Sequence, residues 1–482
     1  MNEHSNLKNQ MVTGSFWVFG ANMISRGISF LSTLILARLL TPEAFGIIGY
    51  GFLIVSAIGL LREMGFNSAL IYQKTEIERA ASTSIVFIFL WSTFLYFLVF
   101  GLAPLAALFF REPRLTALLR VLTISLILNS LSSIPMSLLS KEINFKRRVI
   151  PELLNLTVYG VVTVIFALLG FNYWAFVIGV ITADLFQLIS ALILRPVKIR
   201  LKPDFPILKE LFVFGKSVMG LGILNFGIRN IDDFFVGRML GTVPLGIYNF
   251  SYRIANIPAT NITNVLGKVL YPGFTKIADD TNRLREAFLK SLEYVTFMTI
   301  PVTLYIILIT PDVIHLFLPQ WIAAILPIQL IAYFGGVRSI GSGTGSVVLA
   351  KGKPELLLPV SLTQLTFLAA LLYPVTRFWG LTGVCILVNA SITISFIWSF
   401  LVVKKLTDIS MKSVAKILII PFLISIVLIL VLSIDVIESL ISWRYYLIVL
   451  KGVGFPVLFI LVSILFTDIP KTMIRDLLGR NS

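Results

Sequence analysis

The segment ARLLTPEAFGIIGY, Ala37 to Tyr50, returns later in the chain as GRMLGTVPLGIYNF, Gly237 to Phe250, with the shared pattern small–Arg–x–Leu–x5–Gly–Ile. Two further echoes flank it. WVFGA (Trp17–Ala21) matches FVFGK (Phe212–Lys216), and Pro104 with Leu108 and Phe109 is matched by Pro311 with Leu316 and Phe317. The offset runs from about 195 to 208 residues, the length of roughly six membrane spans with their loops. Six is even, so both copies enter the bilayer from the same side, as parallel repeats about an axis along the membrane normal.

That the copies lie in a membrane follows from composition. Of 482 residues, 57% are hydrophobic and 13% charged, and the mean hydropathy is +0.93, too apolar for a soluble surface. Apolar runs of span length predict fourteen helices. The first seven are 14–38, 44–61, 81–103, 116–140, 150–169, 173–194 and 211–237. The second seven are 243–270, 291–310, 322–350, 355–375, 380–403, 415–433 and 445–466. The expected fold is an all-α membrane protein with twin six-helix lobes, 1–210 and 211–410, followed by two extra helices and a tail, 411–482.

The net charge of +16 would point to nucleic acid in a soluble protein. Here the positive-inside rule accounts for it: one set of alternate loops holds 26 Lys and Arg and the other set six. Both termini are therefore expected in the cytoplasm, with no nucleic-acid partner. No cleavage signature follows MNEHSNLKNQ, so no signal peptide is expected. Cys385 is the single cysteine, and His4 and His315 lack a ligand partner at metal spacing, so neither disulfide, metal nor cofactor is expected.

Candidate functional residues are the polar ones inside spans. Asn249, Arg253, Asn256, Thr260 and Asn264 follow at spacings 4, 3, 4 and 4 along one face of span 8. Such a stripe cannot face lipid. Span 7 repeats the pattern with Asn225, Arg229 and Asp232 or Asp233, and span 1 with Asn22, Arg26, Ser29 and Thr33. A helix from Lys216 to Arg238 rises roughly 33 Å, which puts Arg229 near mid-bilayer, where its charge costs at least about 2.5 kcal/mol. Arg229 either pairs locally with Asp232 or Asp233 or lines a wet cavity. Arg26 and Arg253 have no acid within a turn and read as cavity residues.

Asp184, near the middle of span 6, is either a cation- or proton-coupling acid or one half of an interhelix pair. Asp232 and Asp233 are coupling or gating candidates of the same kind. Arg338 lies in FGGVRSIGSGTGS, whose glycines lack the Gly-Lys-Ser/Thr ending of a phosphate loop and read as helix-contact positions. Arg338 itself remains a cavity candidate. Lys216, Lys268 and Arg120 stand near span ends and snorkel. A cavity lined by arginine suits an anion, and the guanidinium fork matches phosphate. No nucleophile elbow or metal cluster supports an enzyme, and loops of at most about fifteen residues on the outer side leave no room for a polymerase's catalytic domain.

The opening SFWVFGANMISRGISFLSTLILARLLTPEAFGIIGYGFLI (Ser15–Ile54) resembles the polysaccharide transporters of the MOP (MATE-like) flippase superfamily, the Wzx-type exporters, nearest the colanic-acid and teichuronic-acid exporter subgroup. The resemblance covers essentially the whole chain. It implies a flippase that moves oligosaccharide repeat units on undecaprenyl pyrophosphate across a bacterial cytoplasmic membrane for surface polysaccharide biosynthesis. Other members of the superfamily are lipid II flippases and multidrug/cation antiporters. The resemblance also implies arginines in spans 1, 2 and 8 on the pyrophosphate. Arg26 and Arg253 fall in spans 1 and 8, while the run 44–61 leaves Arg62 at or past the cytoplasmic end of span 2. Implied partners are membrane lipids, a coupling H+ or Na+ or the membrane potential, and the glycosyltransferases and polymerase of the pathway.

Overall fold

The computed structural model describes residues 20, 27–73, 75–142, 145–198, 204–259, 264–432, 450–467, 469–470 and 472, and every regular element among them is helical. Nine of these helices or helix pairs are long and apolar enough to cross a membrane, and Gly27–Leu39 and Lys451–Leu465 are shorter apolar helices. The all-helical expectation holds, and the chain is a multi-pass membrane protein. A count of fourteen is not reached among the described residues.

The chain divides into two compact units, Met1–Gly246 and Ile247–Ser482. In the first, α1 (Gly27–Leu39) leads into α2 (Pro42–Glu63). The entry to α2 is set locally: Thr41 Oγ1 caps the Ala44 amide at 3.4 Å, Pro42 fixes φ in the first turn, and Glu43 faces the positive helix end. α2 breaks at Met64 and Gly65, both with positive φ, and resumes as α3 (Phe66–Tyr72). The apolar helical stretch that holds the expected span 44–61 thus extends over Pro42–Tyr72 as two helices. Then follow α4 (Ile77–Phe110), α5 (Arg114–Leu122), α6 (Ile124–Lys141), α7 (Phe145–Leu168), α8 (Trp174–Leu194) and α9 (Phe205–Leu240). The hairpin α7–α8 packs on α6, and α9 lies along α2 and α3. Phe66, Leu70, Ile85, Leu138 and Leu211 form a common apolar core in this unit.

The boundary between the units falls inside α10 (Thr242–Ala255). The second unit continues with α11 (Asn264–Lys276), α12 (Thr281–Phe317), α13 (Ile325–Ile340), α14 (Ser342–Ala350), α15 (Leu357–Thr407), α16 (Met411–Leu432) and α17 (Phe455–Phe466). α15 turns sharply at Gly380, φ +57°, which separates it into the two spans expected there. The appended helices dock on α12 through one buried ion pair, Lys451 Nζ to Asp312 Oδ2 at 3.0 Å. Stacking of Phe455 on Tyr305 and contact of Phe459 with Phe297 complete the joint. Breaking a fully buried pair costs roughly 3–5 kcal/mol. Asp312 keeps 31% of its side chain exposed, so Lys451→Ala should cost less than that. The expected result is a lowered melting temperature in detergent, recovered in part by Lys451→Met with Asp312→Leu.

Between α4 and α5, Glu112 is 5% exposed and accepts from Arg114 Nε at 2.7 Å, Arg114 Nη2 at 2.9 Å and Thr242 Oγ1 at 2.9 Å. Burial pushes its carboxyl up, but the bonds from Arg114 and Thr242 outweigh it and hold the group below the usual carboxylate range. A carboxylate depressed on folding contributes stability that is complete above its unfolded pKa, about 4.3, and is lost as the pH falls through the lower folded value. The melting temperature should therefore fall more steeply below about pH 4.3 in the wild type than in Glu112→Gln. Parallel curves would contradict that account of Glu112.

Candidate functional site

In the second unit α10 carries Asn249, Arg253 and, at its end, Asn256 on one face. Arg253 is exposed, Asn249 half-buried and Asn256 4% exposed. Among the described residues Arg253 makes no ion pair. The end of α10 meets α13 at backbone distance: a Cβ on Gly335 would stand 2.2 Å from the Ala255 carbonyl oxygen. Small residues at such crossings are what lets spans approach without a hydrophobic driving force between them. The contact brings Arg338 Nη1 to 3.5 Å from Asn256 Oδ1, while Asn256 Nδ2 bonds the Tyr252 carbonyl at 3.1 Å. Two residues expected at the site from separate spans thus meet, and the glycine run around Arg338 is a helix-contact element, not a phosphate loop. Thr260 lies outside the described residues, as do Asn22 and Arg26, and of Asn264 only the backbone is described.

In the first unit the buried acid Asp184, on α8, accepts from Asn129 Nδ2 of α6 at 2.7 Å and from Asn155 Nδ2 of α7 at 3.1 Å. Three helices therefore converge on one carboxylate, which decides between the two readings of Asp184 in part: its bonded partners are neutral amides. Among the described residues, Arg62 of α2 acts on it electrostatically. Arg62 has a side chain 11% exposed, an ion pair with Glu63 at 2.8 Å and a buried Nε with no partner. Arg62 stands in the last turn of α2, just before the break at Met64 and Gly65.

Asn129 and Asn155 escaped the sequence reading, although a lone asparagine within an apolar run was the signal available for each. α9 places Arg229 on an exposed face and buries Asp232, with Asp233 half-buried and its amide bonded to Asp232 Oδ1 at 3.0 Å. Among the described residues Arg229 pairs with neither aspartate, which disposes of the local salt bridge. Asp233 Oδ1 is buried without a partner. A cavity of about 650 Å3 opens elsewhere in this unit beside Glu78, Lys141 and Arg195. Its Arg195 is taken up by Glu78 and Glu142, and its Lys141 by the Leu70 and Gln73 carbonyls. These two cations are thus already committed within the protein.

Among the described residues, Arg229 of the first unit and Arg253 of the second make no ion pair, and Asp184 of the first unit is bonded by two asparagine amides. Comparison with solved structures shows the fold. The lipid II flippase MurJ in an inward closed conformation superposes with a TM-score of 0.71 at 16% identity, over 96% of this chain and 99% of that one. An inward-facing multidrug resistance MATE family transporter of the MOP superfamily follows at 0.62 and 18% identity, over 80% of this chain and 96% of that one. In sequence, the teichuronic acid biosynthesis protein TuaB of Bacillus subtilis is 26% identical over 361 residues, 72% of each chain. The lipopolysaccharide biosynthesis protein WzxC of Escherichia coli is 25% identical over 362 residues, 73% of this chain and 72% of its own. The succinoglycan biosynthesis transport protein ExoT of Rhizobium meliloti is 26% identical over 319 residues, 64% of this chain and 63% of its own. Residues 35–326 match the family described as "Polysaccharide biosynthesis protein", which is more than half of the chain and takes in the repeated Arg–x–Leu–x5–Gly–Ile segment in both its copies, so the chain is a member of that family.

Proposed function

We propose that the protein flips oligosaccharide repeat units linked to undecaprenyl pyrophosphate from the inner to the outer leaflet of the bacterial cytoplasmic membrane, by alternating access. The observation that carries this reading is Arg253, an arginine inside a membrane helix, flanked by Asn249 and Asn256 and without an ion pair among the described residues. An intramembrane cation left unneutralised is costly unless it meets water or an anionic ligand, and a fork of N–H donors fits pyrophosphate. Relatives named for teichuronic acid, lipopolysaccharide and succinoglycan point to surface polysaccharides as the pathway.

Arg26, Arg62, Arg253 and Arg338 are assigned to the pyrophosphate and sugars, with Asn22, Asn249, Asn256 and Asn264 beside them. Arg229 joins them from span 7. The prenyl tail stays in lipid throughout. Asp184, Asp232 and Asp233 are the candidates for coupling to H+, Na+ or the membrane potential, where one charge moved through 100 mV is worth about 2.3 kcal/mol. The lobes are 1–210 and 211–410, with 411–482 appended, and the loop charge asymmetry supports cytoplasmic termini. The chain acts as a transporter, with the glycosyltransferases and polymerase of the pathway working before and after it.

Deletion of the gene is expected to remove surface polysaccharide and to accumulate lipid-linked repeat units, measured by lipid extraction and mass spectrometry. Lysis with accumulation of lipid II instead would assign the chain to peptidoglycan precursor transport.

A further inference from the structure

The two copies of the repeated segment touch each other within the first unit. A Cβ on Gly46 would stand 1.8 Å from the Thr242 carbonyl oxygen, and a Cβ on Gly246 would stand 1.8 Å from the Pro42 carbonyl oxygen. Gly46 and Gly246 are 200 positions apart in the repeat, and so are Pro42 and Thr242. One residue of the first copy thus meets a second residue of the other, and the reverse contact is made as well, which is the mark of a local two-fold axis. Only glycine fits at either position. Next to the crossing, Tyr50 Oη donates to the Gly237 carbonyl at 2.8 Å.

A polar clasp lies over this contact. Thr242 Oγ1 donates to Glu112, Glu112 is held by Arg114, and Arg114 Nη2 reaches Glu43 Oε1 at 2.6 Å. The start of α2 and the start of α10 are so joined through the α4–α5 turn. Phe109 and Phe110 pack on Phe234 of α9, and the Arg238 guanidinium lies 4.8 Å over the Phe109 ring. Between α9 and α10, Gly241 has φ +93° and nothing within 4 Å of where its Cβ would be, a free pivot beside the crossing.

We propose that this clasped glycine crossing is the outer seal of the transport path, held while substrate loads and parted for its release, with Glu112 and Thr242 as its latch. The inference rests on the transport reading and adds to it the residues that gate. Three features distinguish a seal from permanent packing. The closest contact is backbone to backbone, glycine against carbonyl on both sides. It is fastened by polar bonds, for which water can substitute when the contact parts. It also lies at the membrane side that the loop charges assign to the outside.

The test starts from Cys385→Ala, which removes the single cysteine. In that background Glu112→Cys with Thr242→Cys is bridged with a short bis-methanethiosulfonate. Export of surface polysaccharide should stop and should return on reduction, while export at the unbridged rate would overturn the proposal. Conformation is read separately by adding Leu245→Cys, at a position buried at the seal, and labelling it from outside with an impermeant maleimide. Labelling should be slow in that background and should rise several-fold with the wedge Gly46→Leu, or with Thr242→Val if the wedge does not fold. Protection unchanged in the folded variant would overturn the proposal. Labelling that rises as expected in a protein without any polysaccharide phenotype would uphold the seal and reject the cargo assigned above.

Discussion

Arg253→Ala combined with Arg26→Ala is expected to abolish export of surface polysaccharide. A charge-assisted hydrogen-bonding group is worth roughly 1.5–3 kcal/mol, so each loss weakens pyrophosphate binding by roughly ten- to a hundredfold. The two act on one ligand, and a combined loss of roughly a hundred- to ten-thousandfold exceeds what expression can compensate. Arg253 stands exposed on α10 without an ion pair among the described residues, so its removal should leave folding intact. Lysine at 253 keeps the charge but loses the planar fork and should restore export only in part. Quantifying extracted polysaccharide against membrane levels of each variant checks this. Normal export by the double alanine variant would remove both residues from the site.

The second large effect is expected at Asp184. Leucine there strips Asn129 and Asn155 of their shared acceptor inside the first unit. Asn129 keeps its bond to the Ser125 carbonyl, but Asn155 loses this acceptor. An unsatisfied amide in the interior costs roughly 1–3 kcal/mol, so Asp184→Leu should be destabilised as well as inactive. Asp184→Asn separates packing from coupling. A neutral amide can still accept from one asparagine, so the variant should fold with a melting temperature near that of the wild type, yet it can no longer change charge. If Asp184 couples a cation, the variant's export should become insensitive to collapsing the proton or sodium gradient and should run slowly. Full export by Asp184→Asn with undiminished gradient dependence would assign coupling elsewhere, with Asp232 and Asp233 next in line.

The residues that were legible in advance share a property: their meaning lies in one helix. Of the expected stripe Asn249–Arg253–Asn256–Thr260–Asn264, which needs only helical spacing, α10 carries Asn249 and Arg253 and ends at Ala255, just before Asn256. The repeat needs only two similar strings, and its reciprocal glycine contact is a consequence visible in space. What could not be read is tertiary. Nothing in one span tells that Asn129 and Asn155, on α6 and α7, converge on Asp184 of α8. Nor does the apolar run that ends before Arg62 tell that a second short helix, Phe66–Tyr72, follows two residues of positive φ, Met64 and Gly65. The local pairing of Arg229 with Asp232 or Asp233 was equally plausible from spacing. The structure instead buries Asp232 and turns Arg229 outward, a choice made by the helices around α9 and not by α9 itself.

The central claim is movement of a lipid-linked saccharide between leaflets, and leaflet location can be measured directly. Cells depleted of the protein are converted to spheroplasts, and their labelled lipid-linked repeat units are exposed to membrane-impermeant periodate. The account predicts that the units stay protected during depletion and become oxidisable when the wild-type protein, but not the Arg26→Ala and Arg253→Ala variant, is restored. Units that reach the outer leaflet at the same rate without the protein would contradict it.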